Sequence, residues 1–324
     1  MTHIDRHPIN VGNHYISPTL WVMICLRVNT LSKEIRCLMV NSADDASSIG
    51  PRLRMMVSLL TPLETKLVNA VLSNDFHERV ALKDVASQCD MSEAMVVKTA
   101  KKLGFSGFRE LRSKAAEYNR LPITEMHQEV SPTDTAAEIV TKVFRTSAQA
   151  LEETLAILDM KAFERAAELL AKAQQRDFYG FGGSAQIARD AVHKFLRIGA
   201  RATAWDDPHM MLMSASLLGK NDVVLAISHS GQTKDILEAV KAAQANQVPV
   251  IAITNYSGSP LANLADTVLC STARGSPLTG ENAAARVAQL NILDALFVVV
   301  AQSDYAHAEQ QLNRTMMSVA HKRK

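Results

Sequence analysis

Cysteine is scarce in this chain of 324 residues, and the four cysteines lie far apart at positions 25, 37, 89 and 270. None of them forms a C-x-x-C pair. The spacing therefore fits neither a zinc site nor a framework of disulfide bonds. A chain with isolated cysteines is typical of the reducing cytoplasm, which is the compartment that we expect.

A long apolar run near the N-terminus is also missing. The segment most similar to a targeting signal is Leu20–Leu26, which stops at Arg27 and is not followed by a small-x-small cleavage site. A run of this length cannot cross a bilayer. We therefore expect residues 1–54 to form a poorly ordered extension, and a translation start at Met39 would leave residues 1–38 untranslated.

Strong charge of one sign is absent as well. The formal net charge is +2, so any contact with nucleic acid has to come from local clusters of lysine and arginine. The length and the 47% hydrophobic content predict two domains. We expect the first over residues 55–120, a linker over 121–134, the second over 135–315, and a tail over 316–324.

The first domain has the pattern of a helical bundle. Thr61, Pro62 and Glu64 form a capping box with proline in the first turn. Residues 82–88 and 93–103 then predict two short helices joined by a short turn, with Ser92 as the N-cap of the second. Apolar residues at helical spacing on both are expected to lock the pair together.

This pair predicts a helix-turn-helix, in which the second helix enters the major groove. Six basic residues between Lys98 and Lys114 face one acidic residue, Glu110, which gives a local charge of +5. The residues expected to contact DNA are Ser92, Glu93, Met95, Lys98, Lys101, Lys102 and Arg109. The alternative is an ordinary bundle whose lysines are simply solvated, and in either case Phe105 and Phe108 are expected in the core.

From residue 176 onward the pattern changes to short apolar runs that alternate with helical ones. The runs at 177–181, 202–205, 223–228, 248–254 and 267–271 predict five parallel strands with helical crossovers. The expected fold is therefore an all-α bundle followed by an α/β doubly wound domain with a five-stranded parallel sheet.

The first of these strands leads into a glycine-rich loop at 180–184. Glycine lets the backbone approach a ligand closely, and a helix N-terminus attracts anions. The loop also fits G-x-G-x-x-A, and Asp206 and Asp207 lie where a dinucleotide enzyme would bind ribose. A nicotinamide-dependent enzyme is therefore one interpretation.

A second loop, at 228–233, places three hydroxyls around Gly231 at the start of a helix. A single phosphate needs such donors, whereas a dinucleotide fold has no comparable use for them, although each hydroxyl alone could be a helix cap. Thr254 and the residues after it add polar groups at the same edge. The residues expected to bind a phosphorylated sugar are Gly182, Gly183, Ser184, Ser228, Ser230, Gln232 and Thr233.

A helix-turn-helix followed by such a domain resembles the RpiR family of bacterial transcription regulators, whose second domain is a sugar-isomerase-like (SIS) domain. The similarity covers about residues 55–315, is most specific at 92–98, 103–108, 193–199, 228–231 and 285–290, and is greatest to the ribose and allose regulators of that family. The resemblance implies a homodimer or homotetramer on an inverted-repeat operator. It also implies a phosphosugar that alters DNA affinity, usually to relieve repression of a carbohydrate catabolic operon.

SIS domains also occur in isomerases, in which a carboxylate and a histidine act on the sugar. Glu281, His193, His209 and His229 are the candidates for such roles. An acidic residue in the first turn of a helix is more often a cap, so we expect no catalytic residue here. The sequence implies no metal and no redox cofactor.

Overall fold

A computed structural model of the protein describes residues 45–126, 129–273 and 283–323. The apolar run at 20–26, Met39 and Glu281 lie outside these ranges. In the described part, the chain folds into an N-terminal helical region and a sheet region, each with its own hydrophobic core.

The helical region begins earlier than residue 55. Residues 46–55, which we placed in a poorly ordered extension, form a 3-10 turn and a helix whose Leu53 is buried in the core of the bundle. This corrects the expected extension for its last residues, because a helix of only seven residues carries too short a pattern to recognise without the core that Ile49 and Leu53 join. The helices of the region are α1 Ile49–Met55, α2 Pro62–Val71, α3 Leu82–Gln88, α4 Glu93–Lys102 and α5 Phe108–Asn119.

The capping box at the start of α2 is confirmed. Thr61 accepts a hydrogen bond from the Glu64 amide at 3.3 Å, and the Glu64 carboxylate accepts one from the Thr61 amide at 2.8 Å. These two bonds satisfy amides that a helix cannot pair internally. The start of α2 is thus fixed by local sequence.

A 3-10 turn at Pro122–Met126 separates the bundle from two long helices, α6 Ala136–Ile157 and α7 Met160–Lys172. Thr135 and Glu138 form a second capping box at the start of α6. Helix α6 contacts both α1 of the helical region and the last long helix of the sheet region. It therefore lies between the two regions.

The predicted five-stranded parallel sheet is confirmed. Its strands are β1 Arg176–Gly180, β2 Ala202–Trp205, β3 Val223–Ile227, β4 Val250–Thr254 and β5 Thr267–Cys270, and their order across the sheet is β2-β1-β3-β4-β5. The three central strands are fully buried, and the two edge strands are partly buried. Continuous burial explains why β3 and β4 are apolar runs and not alternating patterns. Strand β1 instead carries Arg176 and Asp177, which are buried with hydrogen bonds to the Leu170 carbonyl and from the Trp205 indole.

Helices cover both faces of the sheet. The crossover helices are α8 Gly183–Arg197, α9 Pro208–Leu217, α10 Lys234–Ala245 and α11 Pro260–Leu264, and the chain ends with α12 Ala283–Ser303 and α13 Tyr305–Val319. Leu225 and Ile227 face α7, α8 and α12, whereas Val224 and Ala226 face α9, α10 and α11. Residues 316–323, which we expected to be a tail, continue α13 and a final 3-10 turn.

In the described part of the chain, α12 is long and apolar enough to cross a membrane by length and composition alone. Its Leu293 and Leu296 are fully buried in the core between the sheet and α7. Packing against the sheet accounts for the apolar character of that face.

Candidate functional site

The strand order creates a crevice at the carboxyl edge of the sheet between β1 and β3. The chain leaves β1 toward β2 on one side, and it leaves β3 toward β4 on the other. The two strands are paired in register, with Gly180 opposite Ile227, so the two loops identified in the sequence start side by side. Ligands of open α/β sheets bind at such a switch point.

The glycine-rich loop owes its shape to two backbone constraints. A Cβ on Gly180 would lie 2.6 Å from the Ser184 carbonyl oxygen, so only glycine permits this turn. Gly182 has a φ of +53° and precedes the first turn of α8. Gly182 and Gly183 are exposed and Ser184 is half-buried, which leaves the N-terminus of α8 open at the crevice.

Arg286 is a residue that the sequence analysis did not assign to the site. Its side chain lies along Gly183, with Cδ 3.2 Å and Nε 3.4 Å from the position that a Cβ would occupy. The guanidinium therefore adds a positive charge beside the N-terminus of α8. Its place within residues 285–290, one of the stretches that carry the family resemblance, is the signal that could have identified it, but the contact depends on how α12 packs.

The hydroxyls of the second loop bond mainly to the loop itself. Ser228 Oγ accepts a hydrogen bond from the Gly231 amide at 3.1 Å and lies 3.1 Å from Thr233 Oγ1, and Ser230 Oγ accepts one from the Gln232 amide at 3.2 Å. Thr233 occupies the N-cap position of α10, yet its side chain makes no capping bond. Helix capping therefore does not explain Thr233, and these hydroxyls shape a small polar turn with Gln232 exposed.

The loop that follows β4 packs against the loop at 228–233 and is hydrogen-bonded to it. The Asn255 amide and Thr254 Oγ1 donate to the carbonyl of His229 at 3.1 and 3.2 Å. Thr254 and Asn255 are buried, and the His229 ring packs edge-on against Tyr256 with centroids 5.9 Å apart. These residues hold the second loop in place, so their polar character serves the fold of the site.

The features that favoured other activities have local structural roles. Asp207 caps α9 by accepting from the Met210 amide at 2.9 Å, and Asp206 pairs with Arg189. His193 and His209 are exposed on α8 and α9. Within the described ranges no group of three His, Cys, Asp or Glu side chains could hold a metal ion.

The predicted pair of helices in the N-terminal region is confirmed as α3 and α4. Val85 of α3 packs against Val96 and Ala100 of α4 with all three side chains fully buried. Asp90 makes the turn with a φ of +57°, and Ser92 caps α4 by accepting from the Met95 amide at 3.2 Å. Phe108 is in the core and Phe105 packs at its edge.

The predicted DNA-contacting residues lie on the surface of this unit. Ser92, Glu93, Lys98, Lys101, Lys102 and Arg109 are exposed, and Met95 is half-buried. Lys102 pairs with Glu64 at 2.7 Å, Arg112 donates to the Val80 carbonyl at 3.0 Å, and Lys114 lies 3.6 Å from Glu117. Among the described residues no ion pair holds Lys98, Lys101 or Arg109, which leaves their charges available to phosphates.

Comparison with known proteins agrees with this division of the chain. A model of helix-turn-helix domains of the rpiR family matches residues 48–120, and a model of SIS domains matches residues 169–299. The HTH-type transcriptional regulator RpiR of Escherichia coli (strain K12) is 42% identical over 268 residues, which are 82% of this chain and 90% of that protein.

The chain belongs to the RpiR family. The expected resemblance is thereby confirmed, and the protein is an HTH-type transcriptional regulator with an SIS domain. An uncharacterized regulator of the same type from Thermotoga maritima is 31% identical over 83% of this chain and 97% of its own.

Solved structures show the same architecture. The Vibrio vulnificus NanR protein complexed with ManNAc-6P covers 84% of this chain and 98% of its own, with 26% identity and a TM-score of 0.53. The sugar isomerase domain of an RpiR transcription factor from Sphaerobacter thermophilus covers 55% of this chain and 98% of its own, with 24% identity and a TM-score of 0.51. At this identity, the similarity to the Sphaerobacter thermophilus domain shows only that our chain has the SIS fold.

Proposed function

We propose that this regulator is a cytoplasmic repressor of a carbohydrate catabolic operon and that a phosphorylated sugar relieves its binding to the operator. The observation that carries the proposal is the hydroxyl-rich turn at the switch point of the sheet, beside the glycine loop against which Arg286 lies. NanR, a relative with the same two-part architecture, binds ManNAc-6P. The domain limits given in the sequence analysis, with the bundle extended to residue 46, are part of this proposal.

In the sensing site, Ser228, Ser230 and Thr233 would hold the phosphate together with the backbone amides that start α10. Hydroxyls and helix N-termini replace the water that surrounds a free phosphate. Gly182, Gly183 and Ser184 would contact the sugar from the other side of the crevice, where Arg286 adds a charge-assisted contact. Gln232, exposed at the rim, would bind a sugar hydroxyl.

In the DNA-binding region, Lys98, Lys101 and Arg109 would contact phosphates, because their charges are exposed and no intramolecular ion pair holds them in the described part of the chain. Ser92, Glu93 and Met95 would approach base edges from the first turn of α4. Lys102 would contribute less than its neighbours, since it is already paired with Glu64.

The sensing proposal is tested by thermal unfolding with ribose 5-phosphate, glucosamine 6-phosphate, N-acetylmannosamine 6-phosphate, inorganic phosphate and NAD. A ligand at one hundred times its Kd stabilises a protein by about 2.7 kcal/mol. We expect one of the sugar phosphates to raise the Tm of the wild type. The control variant Ser216→Ala should show the same shift, because the Ser216 hydroxyl donates to the Met213 carbonyl at the far end of α9. Ser230→Ala should lose most of that shift.

Two outcomes would contradict the proposal. Stabilisation by NAD alone would favour a dinucleotide enzyme. Conversion of an aldose phosphate to its ketose by the purified chain, followed by NMR, would favour an SIS isomerase.

The homodimer or homotetramer expected from the family resemblance would form through an apolar stripe on α6. Ile139, Val140, Val143 and Phe144 lie at helical spacing on one face, and Phe144 is 74% exposed. Contiguous exposed apolar surface of this kind is typical of an interaction site. Phe144→Ser should lower the mass measured by light scattering toward that of one chain, whereas an unchanged mass would place the contact elsewhere.

A further inference from the structure

Three buried polar side chains and the half-buried Arg54 meet where the helical region contacts the sheet region, and we call them the interdomain cluster: Arg54, Tyr118, Glu153 and Thr272. Arg54 of α1 forms an ion pair with Glu153 of α6. The Tyr118 hydroxyl of α5 donates to Glu153 Oε1 at 2.5 Å, and Arg54 Nε donates to Thr272 Oγ1 at 3.4 Å. Arg54 and Tyr118 of the helical region thus bind Glu153 of α6, and Arg54 also binds Thr272, which lies just after β5.

The cluster is strongly restrained because it is buried. Glu153 is 1% exposed and Tyr118 is fully buried. Burial disfavours the charge of Arg54, but the Glu153 carboxylate and the Tyr118 hydroxyl outweigh it and raise the pKa of the guanidinium. Separating Arg54 from Glu153 would leave the buried carboxylate with the Gln149 amide at 2.8 Å but without its counter-charge, so breaking this pair is costly.

The backbone around Tyr118 is shaped for this contact. A Cβ on Gly50 would lie 2.2 Å from the ring carbon that carries the Tyr118 hydroxyl. Only glycine at this position of α1 lets the ring pass between the helices and reach Glu153.

Toward the sheet, hydrogen bonds connect the cluster with the second loop of the sensing site. The Thr272 amide donates to Thr154 Oγ1 at 3.1 Å, and the Ser271 amide donates to the Thr254 carbonyl at 3.0 Å. The Ser271 hydroxyl and the Gln289 amide group both donate to Asn255 Oδ1. The Asn255 backbone amide in turn donates to the carbonyl of His229 in the loop at 228–233. A shift of that loop would therefore displace residues that are hydrogen-bonded next to Thr272.

Toward DNA, α5 transmits the position of Tyr118 to the helix-turn-helix. The next residue, Asn119, donates to the carbonyls of Val71 and Ser73 at 3.0 and 2.9 Å. Leu111 of the same helix is fully buried in the core that also contains Leu103 at the end of α4. The helix proposed to contact DNA therefore moves with α5.

We propose that the interdomain cluster is the joint through which occupancy of the sensing site changes the placement of the helix-turn-helix. The inference rests on the proposed function, since it takes a sugar phosphate as the effector. A ligand shifts a protein only through interactions that differ between two arrangements, and the cluster supplies one that can be made or broken.

The test compares operator binding with and without effector in the full chain, on a DNA fragment that the wild type selects from a random-sequence pool. The effector is ribose 5-phosphate or N-acetylmannosamine 6-phosphate, whichever raises the Tm of the wild type. The effector-dependent ratio of operator Kd values should lie at about 5–150-fold in the wild type. In Glu153→Gln it should fall to near one, while the Tm shift with effector and operator binding without effector persist.

Tyr118→Phe serves as a second variant, because it removes only the hydroxyl and keeps the ring against Gly50. Tyr118→Phe should also lower the effector-dependent ratio of operator Kd values. It provides the test if Glu153→Gln proves too unstable to study. The matched control is Asp134→Asn, which breaks a carboxylate pair with Lys142 at 2.7 Å near the start of α6 and away from the cluster. This control should keep the wild-type ratio.

The outcomes separate the two proposals. Wild-type ratios in both folded variants would overturn the role of the cluster and leave the sensing function intact. A wild type whose operator binding ignores every sugar phosphate would overturn the sensing function, and the role of the cluster would fall with it.

Discussion

Gly231 is the position where one added methyl group should disturb the sensing site most. Its φ is +62°, and a Cβ there would lie 2.1 Å from Ser259 Oγ. Ser259 cannot move away easily, because it is fully buried and caps α11 by accepting from the Ala262 amide at 3.3 Å. Gly231→Ala therefore combines a strained backbone with a steric clash.

The magnitude follows from these two contributions. A left-handed conformation costs a residue other than glycine about 1–2 kcal/mol. Overpacking of a filled site costs about 1–3 kcal/mol. Relative to an ordinary glycine-to-alanine change, Gly231→Ala should therefore lower the free energy of unfolding by about 2–5 kcal/mol.

Two other glycines separate the contributions. Gly182 has a φ of +53° and a ψ of −120°, a region that residues other than glycine rarely adopt, but nothing lies within 4 Å of its Cβ position, so Gly182→Ala should show a backbone cost of about 1–3 kcal/mol without a clash. Gly219 has an ordinary φ, and its nearest neighbour is Asp222 at 4.0 Å, which makes Gly219→Ala the reference.

The assay is urea unfolding followed by the fluorescence of Trp205 in β2, in a Trp21→Phe background. The free energies should decrease from the Gly219 variant to the Gly182 variant and then to the Gly231 variant. If Gly231→Ala is as stable as Gly182→Ala, then Ser259 moves to make room for the added methyl group, and Gly231 is not tightly packed against it.

Three further predictions concern charge and protonation. Lys98→Ala and Lys101→Ala should each weaken operator binding across all sequences and reduce the salt slope by about 0.9, and an unchanged slope in titrations at several salt concentrations would remove that lysine from the interface. Burial opposes the charge of Glu64, but Lys102 and the helix-capping contacts outweigh it and lower the pKa of Glu64. The stabilisation from ionised Glu64 is thus complete above the unfolded pKa of about 4.3 and is lost as the pH falls through the folded pKa. In urea unfolding at several pH values, Glu64→Gln should therefore reduce the loss of unfolding free energy at acid pH. An unchanged acid slope would contradict this. Desolvation raises the pKa of the half-buried Cys270 to about 12, so iodoacetamide should modify this thiol more slowly in the folded chain than in urea, and equal labelling rates by peptide mass mapping would contradict the raised pKa.

Local sequence was sufficient where the deciding interactions lie close along the chain. The capping box at Thr61 and the cap at Ser92 involve partners only three residues away, and the structure contains both of them. The alternation of short strand-like runs with helical runs predicted the parallel sheet, because a parallel pair of strands needs a crossover between them. The start of the bundle was missed because α1 has only seven residues and owes its stability to the core that it joins.

What only the tertiary structure decided is the set of contacts between residues distant in sequence. The strand order placed the two loops together at a switch point, and the packing of α12 brought Arg286 to Gly183. The same is true of Glu153, which in the sequence is one acidic residue on an amphipathic helix and in the fold pairs with Arg54 across 99 positions. The sequence by itself thus determined the family, the strands, most of the helices and the hydroxyl-rich loop, because these depend on neighbours along the chain. The proposed route between sensing and DNA binding depends instead on which charged side chains the fold brings together.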